Sequence, residues 1–402
     1  MSIGYQTSHC SKDDRNIIIA LRVLERLFLA SAFLLSLGVN AQELRLSTAE
    51  KEIFSVQLLT DKLVAPWALA QLPQSQVLLI TEKDGKLFRF DMPTRTLSLI
   101  SGVGKVQSHG QGGLMDIAIS PDFSTSKLLY FSYAKQVSQG LFATSIASAK
   151  LLQSTGGWRL SGWRDLFVSR PATGSGKHFG SRIAFDDKGH LFFSIGDRGV
   201  RANAQNLNNH AGSILRLNLD GSVPADNPFI GQKNIKPEIY SFGHRNPQGL
   251  YYDVGQQQLF AIEHGPRGGD EINRIEPGLN YGWPIISYGK EYWGPFSVGE
   301  GVAKEGMQQP LMYYTPSIAP SSLIFYQHTY FSQLKNSFLA GSLVLRHLNQ
   351  IKFNGNYNDY KQWRWFKKAE RRIRDLTVLS SGKIALITDS GELQLIAKSD
   401  LR

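Results

Sequence analysis

The sequence predicts an all-β fold, and within that class a six-bladed β-propeller, on three observations. One local pattern recurs six times: a short strand of alternating polarity, a turn rich in Asp, Ser, Gly or Pro, then a strongly apolar strand, often closed by Asp or His. Few segments sustain the 3.6-residue period of an amphipathic helix. The 38 glycines among 402 residues favour many turns over long helices.

The copies follow one another along the chain. They are residues 67–84 (WALAQLPQSQVLLITEKD), 117–133 (IAISPDFSTSKLLYFSY), 182–197 (RIAFDDKGHLFFSIGD), 249–264 (GLYYDVGQQQLFAIEH), more loosely 323–343, and 376–389 (LTVLSSGKIALITD). A sandwich does not need one pattern repeated around the chain. A propeller does, and each of its sheets buries both faces against its neighbours, so runs such as 77–80 and 191–195 are nearly all apolar. Loops at one end of the central channel then converge, which lets residues far apart in sequence meet. No linker, low-complexity tract or second domain interrupts residues 42–402, which read as one propeller domain.

Residues 1–41 stand apart from that pattern. Arg22 and Arg26 precede the apolar run 27–39, and Val39-Asn40-Ala41 offers a signal peptidase small residues, with cleavage expected before Gln42. The run is short for a bilayer, which takes about twenty apolar residues. The expectation is a cleaved signal peptide and an exported, periplasmic, soluble protein, monomer or homodimer, that does not span a membrane after processing. Cys10, the only cysteine, falls in this leader, so the mature chain has no thiol, disulfide or thiolate metal site. The formal charge is +11, and four basic and three acidic leader residues leave 11 − 1 = +10 on the mature part. Its basic residues are scattered except at 367–374 and accompany no nucleic-acid-binding motif. A solvated basic surface is expected, and no nucleic-acid partner.

The densest chemistry lies in residues 237–284. There PEIYSFGHRNPQGL brings Arg245 and Asn246, and EHGPRGGDEINRIEPGLNYGWP brings the Gly265-Pro266 turn, the adjacent carboxylates Asp270 and Glu271, and the corner at Tyr281. A turn forced by Gly-Pro frees backbone carbonyls from the sheet ladder, and carbonyls beside carboxylates are the hard oxygen ligands that calcium prefers. Alone, Gly265-Pro266 is more often only a turn. Two further loops carry polar side chains: Gln111 in the glycine-rich stretch 109–123, and His178 just before the strand of the third copy. An imidazole there can accept a proton at physiological pH, although a lone histidine is more often structural. No Gly-x-Ser-x-Gly elbow, zinc helix, EF-hand or cysteine nucleophile accompanies it. A base, cations and a calcium site without a nucleophile point to chemistry done by a bound cofactor.

Six motifs sharpen that reading: HFGSRIAFDDKGHLFFSIGDRG, AQNLNNHAGSILRLNLDGSVPADNPF, SFGHRNPQGL, EHGPRGGDEIN, NYGWP and PSIAPSSLIFY. Together they resemble the soluble quinoprotein glucose/sorbosone dehydrogenases, particularly the periplasmic aldose sugar dehydrogenases, over residues 63–396. The resemblance implies a six-bladed propeller that oxidises aldoses to lactones by hydride transfer to pyrroloquinoline quinone (PQQ) with Ca2+, passing electrons to an external acceptor. It implies that His178 is the general base and that Arg245 stabilises the reduced quinone oxygen. Asn246 and Gln111 match amide contacts to the cofactor. The carbonyls of Gly265 and Pro266 match ligands of its calcium, and Glu271 with the Tyr281 carbonyl a second, structural calcium. Arg372 and Arg374, on alternate positions of RRIRD, are expected to point one way and meet cofactor carboxylates. The chain departs from the family pattern at Lys177, where glucose-oxidising members carry an acid, and at Val344, where members often place a lysine.

Two other functions suit a propeller of this kind. One is a calcium-dependent lactonase, which would need a ring of carboxylates or amides where this chain offers His178, Arg245, Arg372 and Arg374. The other is a sugar- or protein-binding propeller without turnover, since fold alone does not specify activity.

Overall fold

The computed structural model describes residues 46–400; the leader assigned to residues 1–41, with Cys10, lies outside the described residues. Among the described residues, twenty-four strands form six four-stranded antiparallel sheets, the blades of a propeller. After β1 (Phe54–Thr60), the first blade runs from its inner to its outer edge as β2 (Pro66–Gln71), β3 (Val77–Glu82), β4 (Lys86–Asp91) and β5 (Thr96–Ile100). The second is β6 (Leu114–Ile119), β7 (Leu128–Ser138), β8 (Leu141–Ser154) and β9 (Gly157–Val168). The third is β10 (Ile183–Phe185), β11 (His190–Ile195), β12 (Ser213–Asn218) and β13 (Ile239–Phe242). The fourth is β14 (Pro247–Asp253), β15 (Gln258–Glu263), β16 (Asp270–Ile275) and β17 (Met312–Tyr314). The fifth is β18 (Ile324–Tyr326), β19 (Ser337–Gly341), β20 (Leu348–Phe353) and β21 (Tyr360–Trp365). In the sixth, β22 (Ile373–Val378), β23 (Ile384–Thr388) and β24 (Leu393–Lys398) are completed by β1 from the other end of the described chain.

Each of the six sequence copies falls on the first two strands of one blade. The second of these is packed on both faces: all of β3 and β23 are buried. The β1–β24 ladder, from Phe54 opposite Lys398 to Thr60 opposite Leu393, closes the ring with hydrogen bonds rather than with a disulfide. Phe54 then packs its ring 5.3 Å from those of Phe331, Trp365 and Phe366 of the fifth blade. None of the described helices is long and apolar enough to cross a membrane.

Four inner strands share an irregularity that the site depends on. The ladder register shifts at Trp67 in β2, at Met115-Asp116 in β6, at Gln248 in β14 and at Arg374 in β22. An extra residue at a bulge is freed from the alternation of the strand and can be aimed elsewhere. Here Trp67, Met115, Gln248 and Arg374 all line one cavity of ≈ 450 Å³.

Beneath them Arg182 joins the blades. Its guanidinium stacks over Trp67 of the first blade at 4.3 Å, donates to Asp116 of the second at 3.1 Å and to the Gln248 carbonyl of the fourth at 2.9 Å. It also reaches the Ser321 carbonyl ahead of β18 at 2.7 Å and Asp375 of the sixth blade at 3.2 Å. Burial pushes Asp116 up to about 6, against the pull of Arg182. Two carboxylates thus share one guanidinium, with Ile183 N–H on Asp116 and Leu69 N–H on Asp375 satisfying further lone pairs.

Candidate functional site

The convergent loops enclose two cavities. The larger, of ≈ 450 Å³, is lined among others by Lys83, Gln111, Asn246, Arg372, Arg374 and Asp389. The smaller, of ≈ 10 Å³, is lined among others by Arg245, Glu263, Gly265, Glu271, Tyr281 and Trp283. His264 borders both. Eight of the ten residues expected from sequence therefore fall on one of the two walls. His178 and Pro266 do not, and each is linked to them by hydrogen bonds.

His178 has φ of 52°, in a region that non-glycine residues seldom occupy, so its position is held by partners. Its N–H donates to Gln111 Oε1 at 2.7 Å, and its Nδ1 lies 2.6 Å from Asp197 Oδ1. The Trp283 indole donates to the other Asp197 oxygen at 2.8 Å, and Gly199 N–H donates to the first at 2.7 Å. Burial alone would raise Asp197, but the hydrogen bonds from His178, Gly199 and Trp283 hold it below the usual carboxylate range. An ionised Asp197 accepts a hydrogen bond from Nδ1–H, and in the neutral ring this leaves Nε2 as the acceptor. Asp197 thus holds the His178 ring in one orientation.

Arg245 and Asn246 enter from the turn before β14. Glu263 accepts the Arg245 N–H at 2.7 Å and faces His244 Nδ1 at 2.8 Å. The Arg245 guanidinium donates to the His264 carbonyl at 3.2 Å and to Tyr292 Oη at 3.4 Å, and Tyr292 donates in turn to the Pro266 carbonyl at 3.1 Å. Asn246 Oδ1 accepts from Gly180 N–H at 3.1 Å. A Cβ at Gly196 would fall 2.8 Å from that amide oxygen and 2.5 Å from the His178 carbonyl, so only glycine permits this approach. Burial pushes His264 down to about 3, and its Nε2 lies 2.6 Å from the Pro320 carbonyl.

The smaller cavity is lined by two carboxylates, those of Glu263 and Glu271. Burial and then the neighbouring Glu263 push Glu271 up to about 8. Asn273 donates to both, Glu263 at 3.2 Å and Glu271 at 3.3 Å, and its buried Oδ1 has no hydrogen-bond partner. Adjacent acids that resist joint ionisation and an orphaned amide oxygen fit a cation with oxygen ligands. Gly265 begins a tight return: its Cβ would lie 2.2 Å from the Gly269 carbonyl, and its N–H donates to Asp270 at 2.9 Å. Among the described residues no three His, Cys, Asp or Glu side chains form a metal cluster. A cation there would lean on backbone carbonyls.

In the larger cavity Arg372 Nε and Arg374 Nε meet the two oxygens of Asp389 at 2.6 and 2.7 Å. Burial would raise Asp389, yet the two guanidiniums hold it low. Lys177 is exposed, and its carbonyl accepts from Arg198 at 2.5 Å. Val344 is 54 % exposed, and the fifth blade supplies Leu343 to the wall instead.

Sequence reasoning missed Asp197, Asp389 and Lys83 as site residues. A signal was present: Asp197, His264 and Asp389 each close a copy of the repeated pattern, and Lys83 stands one place before the Asp that closes the first. Strands ending at one mouth of the channel deliver those closing residues to one place.

The family model for glucose/sorbosone dehydrogenases matches residues 63–397. The chain is 37% identical over 344 residues to the aldose sugar dehydrogenase YliI of Escherichia coli K12, covering 84% of this chain and 91% of that one. It is similar in structure to the soluble aldose sugar dehydrogenase of Escherichia coli in its apo form, with a TM-score of 0.81 at 36% identity over 86% of this chain and 99% of that one. The PQQ-bound aldose sugar dehydrogenase of Streptomyces coelicolor gives a TM-score of 0.70 at 26% identity, over 86% of this chain and 99% of that one.

Proposed function

The chain belongs to the glucose/sorbosone dehydrogenase family, and on that premise we propose that it oxidises the anomeric hydroxyl of aldoses to lactones, with PQQ and calcium as cofactors. Electrons then pass to an external acceptor. The observation that carries the reading is the 2.6 Å His178–Asp197 pair, joined through Gln111 to a cation-walled cavity large enough for a planar cofactor.

When bound, the quinone supplies the hydride acceptor and the calcium a Lewis acid that polarises it. The chain's own residues supply the rest. His178 Nε2 takes the proton of the sugar hydroxyl, and Asp197 stabilises the imidazolium that results. Arg245, anchored by the His264 carbonyl and Tyr292, presents a fixed positive charge where negative charge develops. Gln111 and Asn246 are the amide contacts, and Arg372 and Arg374 the carboxylate contacts. The carbonyls of Gly265 and Pro266 would hold the cofactor's calcium, and Glu271 with the Tyr281 carbonyl a structural one. Export to the periplasm by the leader at residues 1–41 would bring the chain to extracellular sugars.

The test is dye reduction by the purified apo-protein, with and without PQQ and calcium, over a panel of aldoses. Oxidation that requires both additions supports the reading. Sugar binding without turnover in the presence of bound quinone would instead mark a non-catalytic propeller, and lactone hydrolysis without quinone a lactonase.

A further inference from the structure

We propose that Lys83, carried by the first blade, is a third cation for the carboxylates of the quinone, completing the wall made by Arg372 and Arg374 of the sixth blade. The inference rests on the PQQ reading above and adds a residue that the motifs do not include.

The argument begins with charge. The larger cavity is lined by the cations Lys83, Arg372 and Arg374 and by one carboxylate, Asp389. Both oxygens of Asp389 are already engaged, one by each guanidinium. Among the described residues, Lys83 has no carboxylate within ion-pair distance; its ammonium donates to the Gly110 carbonyl instead. Three positive charges against one negative leave two unmatched in a half-enclosed space. His264 cannot add to the sum, because burial holds it neutral.

Geometry holds the lysine in that wall. Lys83 directly follows β3; its N–H donates to the Ala65 carbonyl at 3.1 Å, and its own carbonyl accepts from Leu114 N–H at 3.1 Å. A Cβ at Gly113 would sit 2.0 Å from that carbonyl, so the neighbouring loop is packed against the Lys83 backbone. The stem is thereby fixed, and Gly110, which receives the ammonium, precedes the cavity-lining Gln111. Burial and then the Arg374 charge lower the Lys83 pKa, a cost that an anionic ligand between the two would relieve. A polycarboxylate is the ligand that answers all three cations at once.

Equilibrium titration of the calcium-loaded protein with PQQ, read by absorbance and tryptophan quenching, tests this in wild type, Lys83→Gln and Lys83→Arg. Gln keeps a donor for Gly110 but removes the charge, so a charge role and a loop-bracing role separate. The expected result is a 10- to 100-fold weaker Kd for Lys83→Gln, roughly the loss of one charge-assisted contact. Lys83→Arg should bind within a few-fold of wild type, and the gap for Lys83→Gln should shrink at about 1 M salt, where charges are screened. Equal affinities, or a loss untouched by salt, overturn the assignment of Lys83. Failure of the wild type itself to bind PQQ overturns the cofactor reading and this proposal with it.

Discussion

Arg374 and Asp375 are adjacent in sequence yet join separate networks: Arg374 Nε reaches Asp389 at 2.7 Å in the cavity wall, while Asp375 receives Arg182 at 3.2 Å in the centre of the ring. The register shift in β22 makes this possible, because the bulged Arg374 leaves the ladder and Asp375 re-enters it opposite Ile387. One strand therefore serves both the site and the ring that carries it.

The two networks should respond differently to substitution. Arg182→Met leaves Asp116 and Asp375 buried without their shared cation, and the expected cost is about 3–5 kcal/mol of stability, measured by chemical denaturation. Arg374→Gln should leave the unfolding midpoint nearly unchanged and weaken quinone binding. A stable Arg182→Met protein would show that the central hub is dispensable.

If His178 is the base, His178→Ala should abolish turnover while leaving quinone absorbance in place. Asp197→Asn keeps the Trp283 contact geometry but removes the charge that orients the imidazole, so kcat should fall by roughly 10²–10⁴ with a smaller change in KM. Steady-state kinetics of both variants with matched quinone occupancy provide the check. Activity near wild type in either would remove that residue from the proton transfer.

Stability should depend on pH through His264. Its folded pKa is about 3 against an ordinary 6.5, so the unfolded chain binds the extra proton between those values. That contribution is present above about 6.5 and is lost as pH falls toward 3. Asp116, raised to about 6, acts with the opposite sign, losing stability as pH rises to that value, so the wild-type curve is a sum. The difference between wild type and His264→Gln isolates the imidazole: denaturation at a series of pH values should show the variant losing less stability on acidification from pH 6.5.

Calcium should stabilise the fold if Glu263 and Glu271 help to hold it. Chelation is expected to lower the Tm of the wild-type protein, with the shift growing as free calcium rises above its Kd. Glu271→Gln should reduce that calcium-dependent shift by more than half and relieve the repulsion with Glu263, raising the Tm of the metal-free form. A calcium effect of unchanged size in Glu271→Gln would move the ion elsewhere.

Much of the molecule was legible in the sequence by itself. The six apolar copies specified six blades, because a strand buried on both faces must be apolar throughout, as β3 and β23 are. Arg245, Asn246, Gly265 and Glu271 stood out as candidates because they crowd into one short stretch, and the structure places them on the walls of the two cavities. Only the tertiary structure brought β1 onto β24, Asp197 onto His178, Asp389 onto the two arginines, Lys83 into their company and Arg182 into contact with five other blades. Some of these pairings join different blades and others join separate strands or strand ends of one blade, and no local propensity encodes them. Closure of the propeller and the bulges in its inner strands decide which side chains meet at its centre.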